Sequence, residues 1–352
     1  RTLITFYEIP ATALVAELEK QYEYDGVQTC AVDGMCQTAC PVLINTGDLV
    51  RRLRKTEHSA IETGVWTTAA KQWKATTSIA STVMSVAGNL PAPLIQLPNK
   101  AARAVVGKDV LPLWSPELPK GGASRKRPAP KGEPVAVYIP ACVNTMFGPA
   151  DGVEGVQRSF EELCARAGVE LLVPQNIEQL CCGTPWSSKG LPEGARIMKE
   201  RVIATLREVS RDGELPIVCD ASSCTEGLIH TIESDTSGTP MTVIDAVEFV
   251  RAQVLPELPA HEKLGTLVVH PTCSSTRLGT TAALLEVAGE VAEAVSVPDD
   301  WGCCAFAGDR GMLHPELTAS ATARQAEQVR LMDADAHASC NRTCELGMTR
   351  AT

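Results

Sequence analysis

The sequence predicts an α/β protein in which a small helical segment precedes two copies of one cysteine-rich α/β unit. A short apolar strand that ends in Pro-x-Cys occurs twice, at 135–142 and at 266–273. Each copy continues with two adjacent cysteines and then with a helical stretch, 193–209 in the first copy and 315–332 in the second. Short strands that alternate with helices favour a parallel sheet in each copy. Two copies that face each other about a pseudo-twofold axis are therefore the simplest arrangement.

Composition restricts the class of protein before any motif is considered. At about 150 residues per domain, the 352 residues suggest two or three domains. No apolar run approaches the ~18 residues of a spanning helix and no secretory signal opens the chain. We therefore expect a cytoplasmic protein that does not span a membrane. Peripheral association with the inner face of the membrane is the alternative. A net charge of −10 argues against nucleic acid as a partner. The opening Arg1-Thr2-Leu3 lacks a methionine, from which we expect a processed or excised piece.

Composition and repeats divide the chain into five parts. They are a cysteine-bearing helical segment at 1–60, a helical connector at 61–111, a linker rich in proline and glycine at 112–134, and two cysteine-rich repeats at 135–260 and 261–352. The first part begins with a helical pattern, residues 1–20, that includes Leu14 and Leu18. The linker contains the basic run Arg125-Lys126-Arg127, which we expect to be solvated.

The fourteen cysteines are the most informative feature of the composition. They are too few for a disulfide scaffold of this length and too clustered for ordinary buried thiols. The adjacent pairs Cys181-Cys182 and Cys303-Cys304 also argue against disulfides, because neighbouring cysteines rarely bridge each other without strain. Metal or cluster ligation therefore explains the pattern better than disulfides do.

The first cysteines resemble the cluster-binding run of bacterial ferredoxins, Cys-x2-Cys-x2-Cys-x3-Cys-Pro. Here the run reads Cys30-x2-Asp33-x2-Cys36-x3-Cys40-Pro41, with Asp33 in place of the second cysteine. As a ligand, Asp33 would bind iron less firmly than a thiolate does, because a carboxylate is a harder donor. In the alternative interpretation Asp33-Gly34 forms a turn and a remote cysteine completes the site. Both interpretations predict a ferredoxin-like iron–sulfur segment with Cys30 and Cys36 among its ligands.

Each repeat contains five cysteines that follow strands or precede helices. They are Cys142, Cys181, Cys182, Cys219 and Cys224 in the first repeat, and Cys273, Cys303, Cys304, Cys340 and Cys344 in the second. Strand ends and helix starts meet at one edge of a parallel sheet, where ligands usually bind. We therefore expect at least one iron–sulfur cluster in this half of the chain. Zinc in one repeat is the alternative, because four thiolates suit its tetrahedral geometry.

The layout of these cysteines resembles a known family. A cysteine, then Cys-Cys-Gly, then a closing pair is the CCG cysteine-rich domain shared by the cysteine-rich subunit of heterodisulfide reductase and the iron–sulfur subunit of glycolate oxidase. Cys181-Cys182-Gly183 matches that signature, whereas Cys303-Cys304-Ala305 departs from it at the glycine. The closing pairs are spaced more widely than Cys-x2-Cys, so that Cys224 and Cys344 are the members that align directly.

The order of the modules resembles the iron–sulfur half of FAD-linked D-2-hydroxyacid dehydrogenases, the D-lactate, glycolate and D-2-hydroxyglutarate class. The resemblance implies [4Fe-4S] clusters, FAD on an upstream domain or a partner chain, and a quinone or cytochrome as electron acceptor. No Gly-x-Gly-x-x-Gly run is present, so we place the flavin outside this sequence. The alternatives are thiol/disulfide chemistry like that of heterodisulfide reduction, and a zinc-bearing structural or docking module.

Three further side chains have simple structural interpretations. His270 is expected to be a satisfied histidine at a strand end rather than a ligand. Cys164 lies in a helical pattern and is expected to be a buried thiol of the core. Trp66 and its neighbours in the connector are expected to pack rather than to lie on a membrane surface, which is the alternative.

Overall fold

The computed structural model of the protein describes residues 13–351 and has the predicted α/β architecture, with parallel sheets in two cysteine-rich repeats. The predicted helical pattern at 1–20 lies partly outside the described residues, and a helix begins at Ala13. The helices before the repeats are Ala13–Tyr22, Met35–Ala39, Thr46–Glu57, Ala60–Lys71, Trp73–Gly88 and Ala92–Val106. Two of them begin at capping side chains, because Asn45 accepts a hydrogen bond from the N–H of Gly47 and Ser59 accepts one from that of Glu62.

The first repeat is built on a four-stranded parallel sheet. Its strands are β1 (Ala136–Ile139), β2 (Leu171–Leu172), β3 (Ile217–Cys219) and β4 (Val243–Asp245), in the order β2-β1-β3-β4. Its helices are Val143–Met146, Val156–Arg166, Thr184–Lys189, Pro192–Val209, Ser222–Ile232 and Ala246–Phe249. All four residues of β1 are buried, as a continuous apolar run in a sheet covered on both faces predicts.

The second repeat is built on a three-stranded parallel sheet. Its strands are β5 (Leu264–His270), β6 (Ala292–Ser296) and β7 (Ala336–Ser339), in the order β6-β5-β7. Its helices are Cys273–Leu278, Thr281–Val291, Arg310–Leu313, Pro315–Met332 and Arg342–Ala351. This order corresponds to β2-β1-β3 of the first repeat, so the internal repeat of the sequence is also a repeat of sheet topology.

The two repeats meet near the carboxyl ends of β3, β5 and β7. The N–H of Ser222 donates to the carbonyl of Cys340, and Arg277 pairs with Glu226 at 2.8 Å. Because the carboxyl ends of parallel strands lie at one edge of a sheet, these contacts bring the cysteine-bearing edges of both sheets to the interior of the molecule.

The N-terminal segment is held against the repeats by a buried arginine. Arg54, in the helix Thr46–Glu57, is 5% exposed and donates hydrogen bonds to the carbonyls of Val27, Cys30 and Ser188. Carbonyls from two parts of the chain thus converge on one guanidinium group, whose several donors satisfy them together.

The connector packs on the first repeat through aromatic rings. Trp73 is 4% exposed and lies edge-on to the fully buried Trp186, with ring centroids 4.9 Å apart. The indole N–H of Trp186 donates to the carbonyl of Trp66. The prediction of a packed connector is therefore confirmed. Among residues 13–351, no helix combines the length and the apolar character needed to cross a membrane.

Candidate metal centres

The first repeat brings its five predicted cysteines to the ends of two adjacent strands. Ile139 of β1 pairs with Cys219 of β3, so Cys219 ends its strand beside the residue that lies three positions before Cys142. Cys181 and Cys182 arrive from the loop that precedes the helix Thr184–Lys189, and Cys224 lies in the first turn of the helix Ser222–Ile232. All but Cys224, which is half-buried, are buried.

The thiols of this repeat form a continuous row. The Sγ atoms of Cys142 and Cys181 are 3.6 Å apart, and contacts continue from Cys181 to Cys182, from Cys182 to Cys224 and from Cys224 to Cys219. Hydrogen bonds from neighbouring thiols lower the pKa of Cys142 and of Cys182, and the same contacts raise the pKa of Cys181 and of Cys224. The pKa of Cys219, at the end of the row, is also raised. The lowered pKa values of Cys142 and Cys182 favour the thiolate, which is the form that binds metals.

A buried arginine supports the first row, and the sequence did not reveal it. Arg125 was expected to be solvated, but it is 3% exposed and donates to the carbonyls of Pro140 and Leu180, each at 2.9 Å. These carbonyls lie just before Cys142 and Cys181. The positive charge of Arg125 also contributes to the lowered pKa of Cys142. The prediction for Arg125 was wrong because its position in a linker rich in proline and glycine carries no signal of tertiary burial.

The second repeat gathers its ligands into two groups of three. The potential ligand atoms of Asp33, Cys273 and Cys303 lie within 4.8 Å of one another, and so do those of His270, Cys304 and Cys344. We call them the Asp33 trio and the His270 trio. Cys303 and Cys304 are adjacent in the chain, so the two trios are neighbours. A hydrogen bond with the thiol of Cys344, together with a smaller effect of the nearby His270 imidazole, lowers the pKa of Cys304 to about 5.

His270 differs from the expectation of a satisfied histidine. It is the last residue of β5, is 5% exposed and contacts the side-chain amide of Gln325 through Nδ1. Its Nε2 has no hydrogen-bond partner among the residues that the structure describes. Buried polar atoms are normally satisfied, so this nitrogen is a candidate ligand.

The N-terminal cysteines are placed differently from Asp33. Thr46 donates to the Sγ of Cys36 at 3.2 Å, which lowers the pKa of that thiol, and the Sγ of Cys30 accepts from the N–H of Val32. Within residues 13–351, neither compact group of three ligands includes Cys30, Cys36 or Cys40. Gly34, with a φ of 74°, is the N-cap of the helix Met35–Ala39, and the carboxylate of Asp33 lies beside cysteines of the second repeat.

Cys340 and Cys164 lie outside the thiol row of the first repeat and the two trios of the second. The thiol of Cys340 lies 3.6 Å from the hydroxyl of Thr272 and near the hydroxyl of Ser222. Cys164 is 1% exposed within the core of the first repeat, and burial raises its pKa to about 12. The expectation of a buried core thiol is confirmed for Cys164.

The cysteines of both repeats offer donors for a metal or iron–sulfur centre, as a row of thiols in the first repeat and as two compact trios in the second. Closely spaced buried thiols are soft donors of the kind that bind zinc and iron–sulfur clusters, and the unpartnered Nε2 of His270 adds a nitrogen donor. The fold and these groups together define a cysteine-rich α/β protein with the capacity to bind metal.

Comparison with known proteins agrees with that class. The family model of the cysteine-rich CCG domain matches residues 136–228 and 267–349, which together make up half of the chain. The chain therefore belongs to the CCG cysteine-rich domain family. No curated protein matches the sequence.

Proposed function

We propose that this chain is the iron–sulfur, electron-transfer part of an FAD-dependent D-2-hydroxyacid dehydrogenase of the D-lactate, glycolate or 2-hydroxyglutarate type. The observation that carries the proposal is the presence of buried thiol groups at the strand ends of both repeats. The order of a ferredoxin-like segment followed by two CCG repeats, which we take to be related by a pseudo-twofold axis, supports it.

In this proposal at least one cysteine group would hold a [4Fe-4S] cluster, which when bound would supply one-electron transfer. FAD on an upstream domain or partner chain would accept the two electrons that the hydroxyacid loses on becoming the 2-oxoacid. A quinone or cytochrome would then take these electrons from this chain. The burial of most of these thiols excludes water, and Arg125 offsets part of the negative charge near Cys142.

The remaining predicted cysteines are part of the same proposal. We propose Cys30, Cys36 and Cys40 as ligands of a cluster in the N-terminal segment, and Cys219 and Cys340 as further donors in the repeats. The hydrogen bond from Thr46 favours the thiolate of Cys36, which supports that assignment.

A partner surface is available on the connector. Ile61, Leu97 and Val105 are 80%, 69% and 88% exposed. A contiguous patch of exposed apolar side chains marks a surface that contacts another protein. We propose a flavin domain as the partner of the connector, on the cytoplasmic side of the membrane.

Zinc in the second repeat is the second candidate, because a specific observation favours it. The trios there include an imidazole and a carboxylate beside the thiols, and zinc accepts sulfur, nitrogen and oxygen ligands. That repeat would then be structural, and electrons would pass through the first repeat alone.

Anaerobic reconstitution of the purified chain tests the proposal. With iron and sulfide we expect broad visible absorption that dithionite bleaches, since protein-bound clusters accept electrons. A chain that binds zinc but remains colourless after reconstitution would contradict the electron-transfer function and favour the structural one.

A further inference from the structure

The two trios of the second repeat each have the dimensions of a single metal position. Two thiolates on one tetrahedral metal are about 3.8 Å apart, given metal–sulfur bonds of about 2.3 Å. The ligand atoms within each trio lie within 4.8 Å of one another. Each trio therefore needs only small side-chain movements to bind one metal ion.

Each trio contains one donor that is not a thiol. In the His270 trio this donor is the imidazole of His270, which is only 5% exposed. Its Nε2 lacks a hydrogen-bond partner among the described residues, although buried polar atoms normally have one. Its Nδ1 contacts the buried amide of Gln325. The amide nitrogen faces Nδ1 at 2.5 Å, and a 180° rotation of the amide would place its oxygen there instead. With the oxygen toward His270, Nδ1 carries the proton and the lone pair of Nε2 is free for a metal, the arrangement that outer partners of histidine ligands normally enforce.

The Asp33 trio is completed from the opposite end of the chain. The N–H of Met35 donates to Oδ1 of Asp33 at 3.2 Å. Arg277 donates to the carbonyl of Asp33 at 3.2 Å and pairs with Glu226 of the first repeat. The loop that carries Asp33 is thus fixed between the two repeats, and its carboxylate is delivered to Cys273 and Cys303.

We propose that Asp33 and His270 are metal ligands of the second repeat, one in each trio, so that metal binding there also fastens the N-terminal segment to this repeat. The inference rests on the proposed metal-binding function of the repeats. It makes the metal centres of the two repeats chemically different, because the row in the first repeat consists of thiols alone. It also gives Asp33 a role outside the ferredoxin-like loop.

Cobalt(II) titration of the metal-free, reduced full chain tests the inference, since thiolate-bound cobalt is coloured and tetrahedral. The variants are Asp33→Asn, which preserves an oxygen for the N–H of Met35, and His270→Gln. Matched controls are Asp25→Asn in the same segment and His337→Gln in β7, both exposed in the structure. We expect each ligand variant to weaken one class of cobalt sites at least roughly tenfold and to change its visible spectrum. Both controls should titrate like the unmodified chain.

Limited proteolysis gives a readout that does not depend on colour. Cobalt should protect residues 29–45 from cleavage in the unmodified chain and in the controls, but not in Asp33→Asn. Asp33→Cys supplies a thiolate instead and should restore both protection and tight binding. Ligand variants that match their controls would overturn the inference and leave the proposed function standing. An unmodified chain that binds neither cobalt nor iron would overturn both.

Discussion

The residue that follows each cysteine pair determines how much free energy the left-handed backbone conformation costs at that position. Gly183 has a φ of 87° and Ala305 a φ of 53°, so both adopt the left-handed conformation after Cys-Cys. This conformation costs an L-residue about 1–2 kcal/mol, whereas glycine adopts it freely but loses more entropy on folding. The departure from Cys-Cys-Gly in the second repeat therefore keeps the backbone conformation and adds strain.

We expect opposite effects from exchanging these two residues. Ala305→Gly should raise the free energy of unfolding by roughly 0.5–1 kcal/mol and Gly183→Ala should lower it by a similar amount. Space is not limiting at Gly183, where an added Cβ would meet only the hydroxyl of Thr231, at 3.9 Å. Urea denaturation of the reduced, metal-free chain measures both. Changes of the same sign would show that backbone strain is not the cause.

Arg125 provides a second prediction at the residue scale. Replacing it by methionine keeps much of the volume but leaves the carbonyls of Pro140 and Leu180 without their donor. Because each buried unsatisfied group costs about 1–3 kcal/mol, we expect Arg125→Met to lower the free energy of unfolding by roughly 2–4 kcal/mol. Lys126→Met, at the adjacent exposed position, is the control and should change it little. Equal effects of the two substitutions would argue against the buried role of Arg125.

Among the elements, the helix Thr46–Glu57 contacts the first repeat at a glycine. A Cβ at Gly190 would lie 2.6 Å from the carbonyl oxygen of Arg51 and 2.8 Å from the nitrogen of Lys55. Gly279 has the same φ of 74° but nothing within 4 Å of its added Cβ. Alanine substitutions at Gly190 and at Gly279 therefore distinguish the cost of steric overlap with a neighbouring backbone from the cost of a positive φ.

We expect Gly190→Ala to be more destabilising than Gly279→Ala by at least about 1 kcal/mol, because backbone atoms cannot move aside as a side chain can. Thermal unfolding measures the difference, and trypsin should cleave at Arg51 and Arg52 faster in Gly190→Ala. Identical stability and cleavage in the two variants would mean that this helix does not dock at Gly190.

The start of the helix Pro315–Met332 predicts a pH dependence. Burial lowers the pKa of His314 in spite of Asp109 and Glu316, which lie 3.0 and 3.2 Å away. The unfolded chain therefore takes up a proton below pH 6.5 that the folded protein resists, so stability falls as the pH drops below that value.

His314→Gln should flatten this part of the curve of unfolding free energy against pH. Urea denaturation at several pH values between about 7.5 and 5.5 measures it, above the usual range of carboxylates. His337→Gln, at an exposed position, should leave the slope unchanged. A slope that persists in His314→Gln would assign the acid sensitivity to other groups.

At the scale of the whole molecule, local patterns predicted the repeats well. The helix expected at 315–332 is observed at Pro315–Met332, and the strands that end near Cys142 and Cys273 are β1 and β5. These features follow from periodicity and from proline and cysteine positions within a short window. Each unit can therefore be recognised without knowledge of the rest of the chain.

Contacts between distant parts of the chain were not predictable in this way. The carboxylate of Asp33 lies close to Cys273 and Cys303, which are 240 and 270 residues away in the sequence, because the N-terminal loop packs against the repeats. The burial of Arg125 and the unpartnered Nε2 of His270 likewise depend on tertiary packing. Periodicity reports which face of an element is buried, and it does not report which side chain from another element lies opposite.

Iron and sulfide analysis of two serine variants tests most directly whether both repeats are metal centres. Cys182→Ser and Cys304→Ser each replace one thiolate by a poor donor of similar size, after anaerobic reconstitution of the full chain. Cys164→Ala, which removes a buried thiol outside both centres, is the control. We predict that each serine variant loses iron and sulfide relative to the unmodified chain while the control retains both. Unchanged iron and sulfide in both serine variants would contradict the assignment of the repeats as iron–sulfur centres.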